Sequence, residues 1–432
     1  MIWNETKECM APDDLKAMQS KRLRKQVERM YLQVPYFRQK MQKLDLHPSD
    51  IESIDDIRKL PFTTKEDMRD NYPTGLFASP LSEIVRLHAS SGTTGKATIV
   101  GYTKKDIDIW TECVARVLSM ADIGRNDIIQ IAYGYGLFTG GLGLHYGGEN
   151  IGATVIPMST SNTRKQLQMM EDLKCTAIAC TPSYLLHLME EVKAQGLEDQ
   201  ICLKAAICGG EPWTEEMREE IESQLKIKAY DIYGLSEIIG PGVAADCKEH
   251  KGLHIYEDHF YPEIVHPETL EPVEEGEVGE LVITTLTKEG MPMIRYRTKD
   301  LTSLSREKCS CGRTMARMSR FKGRSDDMLV LKGVNVFPSQ VETALLELPE
   351  TKPYYLIIVD RVNNMDQVEI QVEVEDEYFS DEIRAMENLQ EKITKALKEA
   401  IGIQVKVRIV EPKTIERSTG KSTRVIDRRK LV

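Results

Sequence analysis

Between residues 126 and 210 the chain alternates short apolar runs with glycine-rich turns and helical segments. The apolar runs cover residues 128–132, 153–157, 177–180 and 205–208, and a helical pattern covers residues 163–173. Runs of four or five apolar residues have the length of buried strands, and parallel strands need helical crossovers between them. We therefore predict an α/β fold built on a largely parallel sheet.

The segments on either side of this region predict the rest of the architecture. Residues 13–45 carry a helical apolar face, which Pro35 interrupts, and residues 264–304 have the alternation of short strands. Beyond residue 324 the pattern predicts strands at 354–359, 368–374 and 405–410 and an amphipathic helix at 380–401. We expect a large multi-sheet N-terminal domain at 1–323 and a small, mobile α+β domain at 324–432.

Composition excludes several classes of function. The 432 residues carry a net charge of -11, so no domain-wide basic field exists to bind nucleic acid. No run of about 18 apolar residues is present to span a membrane, and the pattern of the first residues does not predict export. The nine cysteines are an odd number spread over a long chain, which predicts reduced thiols in a cytoplasmic protein.

A loop at residues 90–96 has the composition of a phosphate-binding segment. Glycines let the backbone approach an oxyanion, while hydroxyl groups and an ammonium add donors. Its spacing differs from that of the P-loop of NTPases, and a polar surface turn is the alternative interpretation. The loop consists of Ser90, Ser91, Gly92, Thr93, Thr94, Gly95 and Lys96.

Further motifs follow this loop in a fixed order. They occupy residues 233–237 (YGLSE), 296–300 (YRTKD), 323–327 (GRSDD) and 333–335 (GVN). Together with the loop they resemble the adenylate-forming superfamily of acyl-CoA synthetases, adenylation domains and luciferases. Residues 133–141, 256–260 and 333–340 are similar to the phenylacetate-CoA ligase group within it.

This resemblance implies a two-step reaction. A carboxylate attacks the α-phosphate of ATP to give an acyl-adenylate and pyrophosphate, and the thiol of coenzyme A then displaces AMP. Glu237 would hold Mg²⁺, Asp300 would accept the ribose hydroxyls, and Arg324 would contact the same sugar. Other nucleotide-binding positions implied by the resemblance are Gly209, Gly210, Glu211, Asp231, Ile232, Tyr233 and Gly234.

The resemblance also gives roles to the C-terminal domain. Lys421 would stabilise the charge that develops on the α-phosphate and the attacking carboxylate. After pyrophosphate leaves, this domain would turn about a hinge at Asp326, remove Lys421 and present Gly333 and Asn335 to the coenzyme A thiol. Without the resemblance, Lys421 would read as a surface lysine in a terminal segment.

The acid pocket is expected in the segment 133–141. Tyr135 and Phe138 would offer ring faces to a flat substrate, with Gly210 and Pro241 lining the same pocket. An aryl acid similar to phenylacetate is the predicted substrate. The alternative is that both rings only fill the core.

A second cluster predicts a structural metal site. Thiolate and imidazole ligands in a reducing compartment suit Zn²⁺, and four protein ligands leave no open position for chemistry. We predict His254, rather than His250, as the fourth ligand because it begins a strand-like segment. Free thiols with surface histidines are the alternative. The predicted ligands are Cys247, His254, Cys309 and Cys311.

Two competing functions remain open at this point. An enzyme of the same superfamily could pass its acyl group to a carrier protein or another acceptor instead of coenzyme A. A non-catalytic, zinc-stabilised nucleotide-binding module is the other possibility, although it would not need Glu237, Asp300 and Lys421 together. A homodimer is the expectation that the family provides.

Overall fold

A computed structural model describes residues 1–90, 98–160, 162–320, 323–325, 329–331, 334–362, 365–379, 383–417 and 423–430. The chain forms two compact units. The first comprises Met1–Cys180, Leu197–Gly210 and Ile227–Phe321, and the second comprises Thr181–Gly196, Glu211–Lys226 and Lys322–Val432. Within the described residues, no helix is both long and apolar enough to cross a membrane.

The first unit begins with helices α1 (Glu5–Glu8), α2 (Pro12–Gln33), α3 (Pro35–Lys43) and α4 (Lys65–Asp70). Short 3-10 helices occupy Pro48–Asp50, Ile54–Lys59 and Leu81–Glu83. Proline stands in the first turn of both α2 and α3, where its missing N–H costs nothing. The predicted break at Pro35 is therefore the start of a new helix.

Strands β1 (Ile84–Ser90) and β2 (Thr98–Thr103) pair as an antiparallel ribbon on either side of residues 91–97. Helix α5 (Lys104–Met120) follows β2 directly, and Thr103 caps it by accepting from the amide of Asp106. The start of α5 is thus fixed by a local hydrogen bond.

A nine-stranded sheet forms the centre of the unit, in the order β13-β14-β9-β8-β7-β6-β5-β3-β4. Its parallel half contains β3 (Ile128–Ile131), β4 (Thr154–Ile156), β5 (Ala177–Cys180), β6 (Ala205–Gly209) and β7 (Lys228–Leu235). Its antiparallel half contains β8 (Gly240–Ala245), β9 (Leu253–Ile255), β13 (Leu304–Ser305) and β14 (Arg317–Met318). The predicted central α/β sheet is confirmed.

Helices follow the parallel strands along the chain as crossovers require. They are α6 (Gly140–Asn150), α7 (Thr163–Asp172), α8 (Pro182–Gln195) and α9 (Glu215–Leu225). Helix α6 packs closely on α5 because glycines face it: a Cβ on Gly147 would lie 2.3 Å from Val114 Cγ1, and one on Gly143 would lie 2.5 Å from the Trp110 ring. No other residue fits at these two positions without displacing α5.

A further antiparallel sheet contains β10 (Phe260–Val265), β11 (Gly279–Thr285) and β12 (Tyr296–Thr302). Sequence patterning predicted short strands over residues 264–304; β12 ends at Thr302 and a separate short strand begins at Leu304. Asp300 lies inside β12.

A buried charged network surrounds the segment that precedes β10. Arg116 on α5 binds Asp258 with two parallel hydrogen bonds of 2.8 and 3.0 Å. His259 Nε2 lies 3.1 Å from the same carboxylate, and its Nδ1 lies 2.8 Å from Thr287 Oγ1. Burial lowers the pKa of His259 to about 4, although Asp258 opposes this effect.

The second unit contains α8, α9 and the C-terminal part of the chain. Its remaining elements are β15 (Gly323–Arg324), β16 (Leu329–Leu331), β17 (Val334–Val336), α10 (Pro338–Leu346), β18 (Thr351–Val362), β19 (Met365–Val374), α11 (Ile383–Ile401), β20 (Lys406–Val410), β21 (Val425–Asp427) and a 3-10 turn at Arg428–Lys430. The strands β20-β19-β18-β21 form a mixed sheet, and α10 and α11 contribute to its core. The predicted α+β character of this part of the chain is confirmed.

Candidate active site

Two predicted nucleotide-binding residues are joined directly. The Tyr233 hydroxyl on β7 donates to Asp300 Oδ2 on β12 at 2.6 Å. Asp300 is only 4% exposed, so this bond fixes the direction of a carboxylate with little access to water. The hydrogen bond therefore joins β7 of the central sheet to β12 of the antiparallel sheet, and it orients the Asp300 carboxylate as an acceptor.

Glu237 lies in the turn after β7 and is 7% exposed. Its Oε1 atom is 3.9 Å from Lys65 Nζ at the start of α4. The main chain of this turn is held from within the unit, because Lys288 Nζ donates to the Glu237 carbonyl at 3.0 Å. Tyr102 donates to the carbonyl groups of Ser236 and Ile239 at 3.1 and 3.3 Å.

Lys288 is a residue that the sequence did not single out. It is 2% exposed, and burial lowers the pKa of its ammonium to about 8 while Asp106 and Glu237 act in the opposite direction. Its sequence neighbours, Thr287, Glu289 and Gly290, are typical of an exposed turn. No local pattern could have shown that this lysine faces inward.

Buried aromatic rings support the same region. Tyr102 stacks on Trp110 with ring centroids 5.3 Å apart, and His88 meets both rings edge-on. Trp110 Nε1 donates to the Pro241 carbonyl at 2.8 Å, so α5 positions one of the predicted pocket residues.

The predicted acid-binding segment follows β3. Tyr133 anchors it by donating to the carbonyl groups of Cys180 and Gly209 at 2.6 and 3.0 Å. The Tyr135 hydroxyl lies 3.3 Å from His145 Nδ1, and Phe138 is 38% exposed. Tyr135 is thus partly committed to a contact within the protein, whereas the Phe138 ring has an open face.

Glycines in this segment fall into two kinds. A Cβ on Gly134 or Gly136 would meet nothing within 4 Å, whereas one on Gly140 would lie 2.4 Å from the Phe138 ring. A Cβ on Gly141 would lie 2.7 Å from the Gly134 carbonyl oxygen. The first two positions are sterically open, and the last two are required by close packing.

The other predicted nucleotide-binding positions lie on or next to β6 and β7, and most of them make defined main-chain contacts. Gly209 faces the Ile232 carbonyl, which a Cβ would approach to 2.3 Å, and Gly210 has φ +86°. Asp231 lies on β7, and its carbonyl accepts from the amide of Asp246. In the second unit, Glu211 Oε1 accepts from the Ser183 amide at 2.8 Å. Gly234 pairs with Pro241 between β7 and β8.

Several predicted residues lie outside the described part of the chain. They are Ser91, Gly92, Thr93, Thr94, Gly95, Lys96, Asp326, Gly333 and Lys421. Ser90 ends β1, Arg324 lies in β15 and Asn335 lies in β17, opposite Val330.

The predicted metal ligands come together in the first unit. One ligand atom from each of Cys247, His254, Cys309 and Cys311 lies within 4.8 Å of all the others. The Cys247 and Cys309 sulfurs are 3.9 Å apart, and Cys311 Sγ is 3.5 Å from His254 Nε2. His250 instead places Nδ1 2.6 Å from an Asp246 oxygen.

An arginine connects this cluster to the N-terminal segment. The Arg313 guanidinium lies 3.6 Å from Cys311 Sγ and donates to Glu8 Oε2 at 2.6 Å. A hydrogen bond from Cys247, together with His254 and Arg313, lowers the pKa of the Cys311 thiol. The cluster therefore contains one sulfur that is electrostatically prepared to act as a thiolate.

Comparison with protein families identifies the family to which the chain belongs. Residues 38–287 match the AMP-binding enzyme family, and residues 333–429 match the AMP-binding enzyme C-terminal domain. The chain belongs to the AMP-binding, adenylate-forming family of enzymes.

Full-length relatives show to which group within this family the chain belongs. The chain is 46% identical to a phenylacetate-coenzyme A ligase of Thermus thermophilus, with all of both chains covered. It is 48% identical to the phenylacetate-coenzyme A ligase of Escherichia coli, with 98% of this chain and 97% of the relative covered. The predicted membership of the phenylacetate-CoA ligase group is confirmed.

The fold is also similar to that of a solved structure. A crystal structure of a 2-hydroxyisobutyryl-CoA ligase in the postadenylation state, in complex with 2-HIB-AMP, has a TM-score of 0.93 and 26% identity. The similarity covers 99% of this chain and 92% of that one. The predicted fold class is confirmed by this similarity.

Proposed function

We propose that this protein ligates an aryl carboxylic acid to coenzyme A through an acyl-adenylate, consuming ATP and releasing AMP and pyrophosphate. The observation that carries the proposal is an identity of 46–49% to phenylacetate-coenzyme A ligases over at least 96% of their length. Phenylacetate is the reference acid for this proposal.

The geometry of the first unit supports the assignment of the nucleotide-binding residues. We assign Asp300 to the ribose hydroxyls, because its carboxylate is a hydrogen-bond acceptor that Tyr233 orients. We assign Glu237 to Mg²⁺, which takes oxygen ligands and bridges phosphates when bound. The Lys65 ammonium near Glu237 adds positive charge where phosphate oxygens would gather.

Adenylation brings two anions together, so donors are needed around the α-phosphate. We assign this role to Lys421 and expect Lys421→Ala to slow adenylation about a hundredfold, since one such donor contributes about 3 kcal/mol. Thioester formation from a supplied acyl-adenylate should change much less. The Phe138 ring and the adjacent open glycine positions are the proposed contact surface for the aryl group.

A pyrophosphate-release assay with a panel of carboxylic acids, with and without coenzyme A, tests this function. We expect release to depend on aryl acids and to speed up with coenzyme A, with phenylacetyl-CoA as a product by mass spectrometry. Release without thioester formation would indicate another acceptor. Absence of turnover with every acid would indicate a binding module and contradict the proposal.

We further propose a structural Zn²⁺ bound by Cys247, His254, Cys309 and Cys311. Two Zn–S bonds of about 2.3 Å at the tetrahedral angle place their sulfurs roughly 3.8 Å apart, and a Zn–N bond of about 2.0 Å gives an S···N separation of roughly 3.5 Å. The observed separations of 3.9 and 3.5 Å fit this geometry. Four protein ligands would leave the ion closed to substrate.

Elemental analysis and variants test the metal. We expect about one zinc per chain in protein purified without chelator, and loss of metal with a lower melting temperature in Cys309→Ser. The matched control is Cys202→Ser, since Cys202 is an exposed free thiol. Wild-type protein without zinc, or a Cys309→Ser protein with normal zinc content, would disprove the assignment.

A further inference from the structure

Lys288 is a buried cation for which the reaction as proposed above has no use. Its side chain is only 2% exposed. Removing an ammonium from water is costly unless an opposite charge compensates for it. Among the residues that the structure describes, Lys288 forms no ion pair with a carboxylate.

The contacts of the Lys288 side chain all point towards one turn. Its ammonium donates to the Glu237 carbonyl at 3.0 Å and lies 4.8 Å from the centre of the Tyr102 ring. That same tyrosine holds the carbonyl groups of Ser236 and Ile239. Two neighbouring side chains thus hold three carbonyl groups of the segment 236–239.

The main chain of Lys288 is itself held firmly. Its carbonyl accepts a hydrogen bond from the side-chain amide of Gln26 on α2. The next two amides, those of Glu289 and Gly290, donate to the Asp106 carboxylate at 2.6 and 2.8 Å. Asp106 belongs to the capped first turn of α5. The main chain at Lys288 is therefore held by both α2 and α5, and its side chain in turn holds the Glu237 turn.

We propose that Lys288 is a positioning residue that fixes the Glu237 turn and places a buried positive charge behind it, so that Glu237 binds the magnesium complex of ATP. The proposal rests on the role assigned to Glu237 above. A purely structural role would favour an apolar side chain here, since an ammonium in this position gains one hydrogen bond and loses its hydration. A buried ammonium at position 288 is explained if the Glu237 site needs its positive charge to bind the magnesium complex of ATP.

The test compares Lys288→Met with wild type and with Lys204→Met. Lys204 is a matched control, because its ammonium donates to the Asp122 carbonyl and pairs with Asp127 at 2.9 Å, away from the Glu237 turn. Binding of ATP is measured by calorimetry over a range of MgCl2 concentrations. Thermal unfolding of each protein is measured at pH 7.

For Lys288→Met we expect the Mg²⁺ concentration for half-maximal ATP binding to rise about 10-fold to 100-fold, the usual effect of removing a group that orients a metal ligand. We expect its melting temperature to equal or exceed that of wild type. Lys204→Met should show normal Mg²⁺ dependence. Normal Mg²⁺ dependence in Lys288→Met, or a lower melting temperature with no change in Mg²⁺ dependence, would overturn the proposal.

Two further variants keep the result interpretable. If Lys288→Met does not fold, Tyr102→Phe removes the companion hydrogen bonds of the same turn and should shift the Mg²⁺ dependence in the same direction by a smaller factor; an unchanged value contradicts the proposal. Glu237→Gln separates the two levels of inference. Full Mg²⁺-dependent binding in Glu237→Gln would remove the proposed role of Glu237, whereas a defect there combined with normal Lys288→Met would remove only the role of Lys288.

Discussion

At the scale of single residues, the site is defined by buried polar groups whose partners fix their direction. Asp300 receives a hydrogen bond from Tyr233, and the Glu237 turn receives hydrogen bonds from Tyr102 and Lys288. Charge-assisted bonds of this kind are strong and directional in a dry environment. A loss of one donor should therefore appear in ligand binding before it appears in folding.

Tyr233→Phe tests this expectation. Removing the hydroxyl takes away the 2.6 Å hydrogen bond that helps to orient the Asp300 carboxylate. We expect ATP to bind about tenfold more weakly, since a hydrogen bond to a charged group contributes about 1.5 kcal/mol. Calorimetry measures the effect, and Tyr378→Phe, at a position 41% exposed, is the control. Equal affinity in both variants would contradict the assigned function of this pair.

The sequence predicted Tyr233, Glu237 and Asp300 as site residues because they stand in short motifs. It could not predict Lys288, Tyr102 or Trp110. Their importance depends on contacts between residues 51 to 137 positions apart in sequence, such as Lys288 with Glu237 and Tyr102 with Ile239. No local periodicity carries that information.

At the scale of elements, glycine determines how closely helices and strands approach. Gly143 and Gly147 let α6 lie directly against α5, and Gly209 lets β6 lie against the main chain of β7. The hydrophobic runs predicted where β3, β5 and β6 would form, because buried parallel strands are continuously apolar. They underestimated the lengths of β18 and β19, since this long hairpin continues through polar residues next to its turn, such as Asp360 and Gln367.

Gly147→Ala should destabilise the first unit. The added methyl group would lie 2.3 Å from Val114 Cγ1, and relieving the overlap costs about 1–3 kcal/mol, more than the gain of up to about 1 kcal/mol in helix propensity. The midpoint of urea unfolding measures this loss. Gly124→Ala is the control, because a Cβ there meets nothing within 4 Å. A Gly147→Ala midpoint equal to that of Gly124→Ala would show that α6 moves away without cost.

At the scale of the whole molecule, the chain combines an overall negative charge with a few deeply buried ionic networks. The network around Asp258 joins α5 to the segment before β10, and Arg22 on α2 donates to the Asp258 carbonyl. The sequence motif at residues 256–260 indicated family membership, but its role as a buried electrostatic junction required the structure. Such a junction makes stability depend on pH.

We expect stability to fall as the pH is lowered from about 6.5 to about 4. Burial lowers the pKa of His259 to about 4, against about 6.5 in an unfolded chain, so the unfolded state binds the extra proton within this window. The full effect is about 3 kcal/mol. Denaturant titrations at several pH values measure it, and His259→Gln should flatten the profile over this window. Parallel profiles for the two proteins would contradict the assignment.

The two kinds of glycine in the segment 133–141 have a consequence for how the substrate range of such enzymes can change in evolution. Gly134 and Gly136 have free space around them, whereas Gly140 and Gly141 do not. Single substitutions at the first two positions can change the surface of the segment proposed to bind the acid, because an added Cβ there meets nothing within 4 Å. Substrate range can therefore evolve in small, independent steps, while the residues proposed to bind ATP on β7 and β12 stay unchanged.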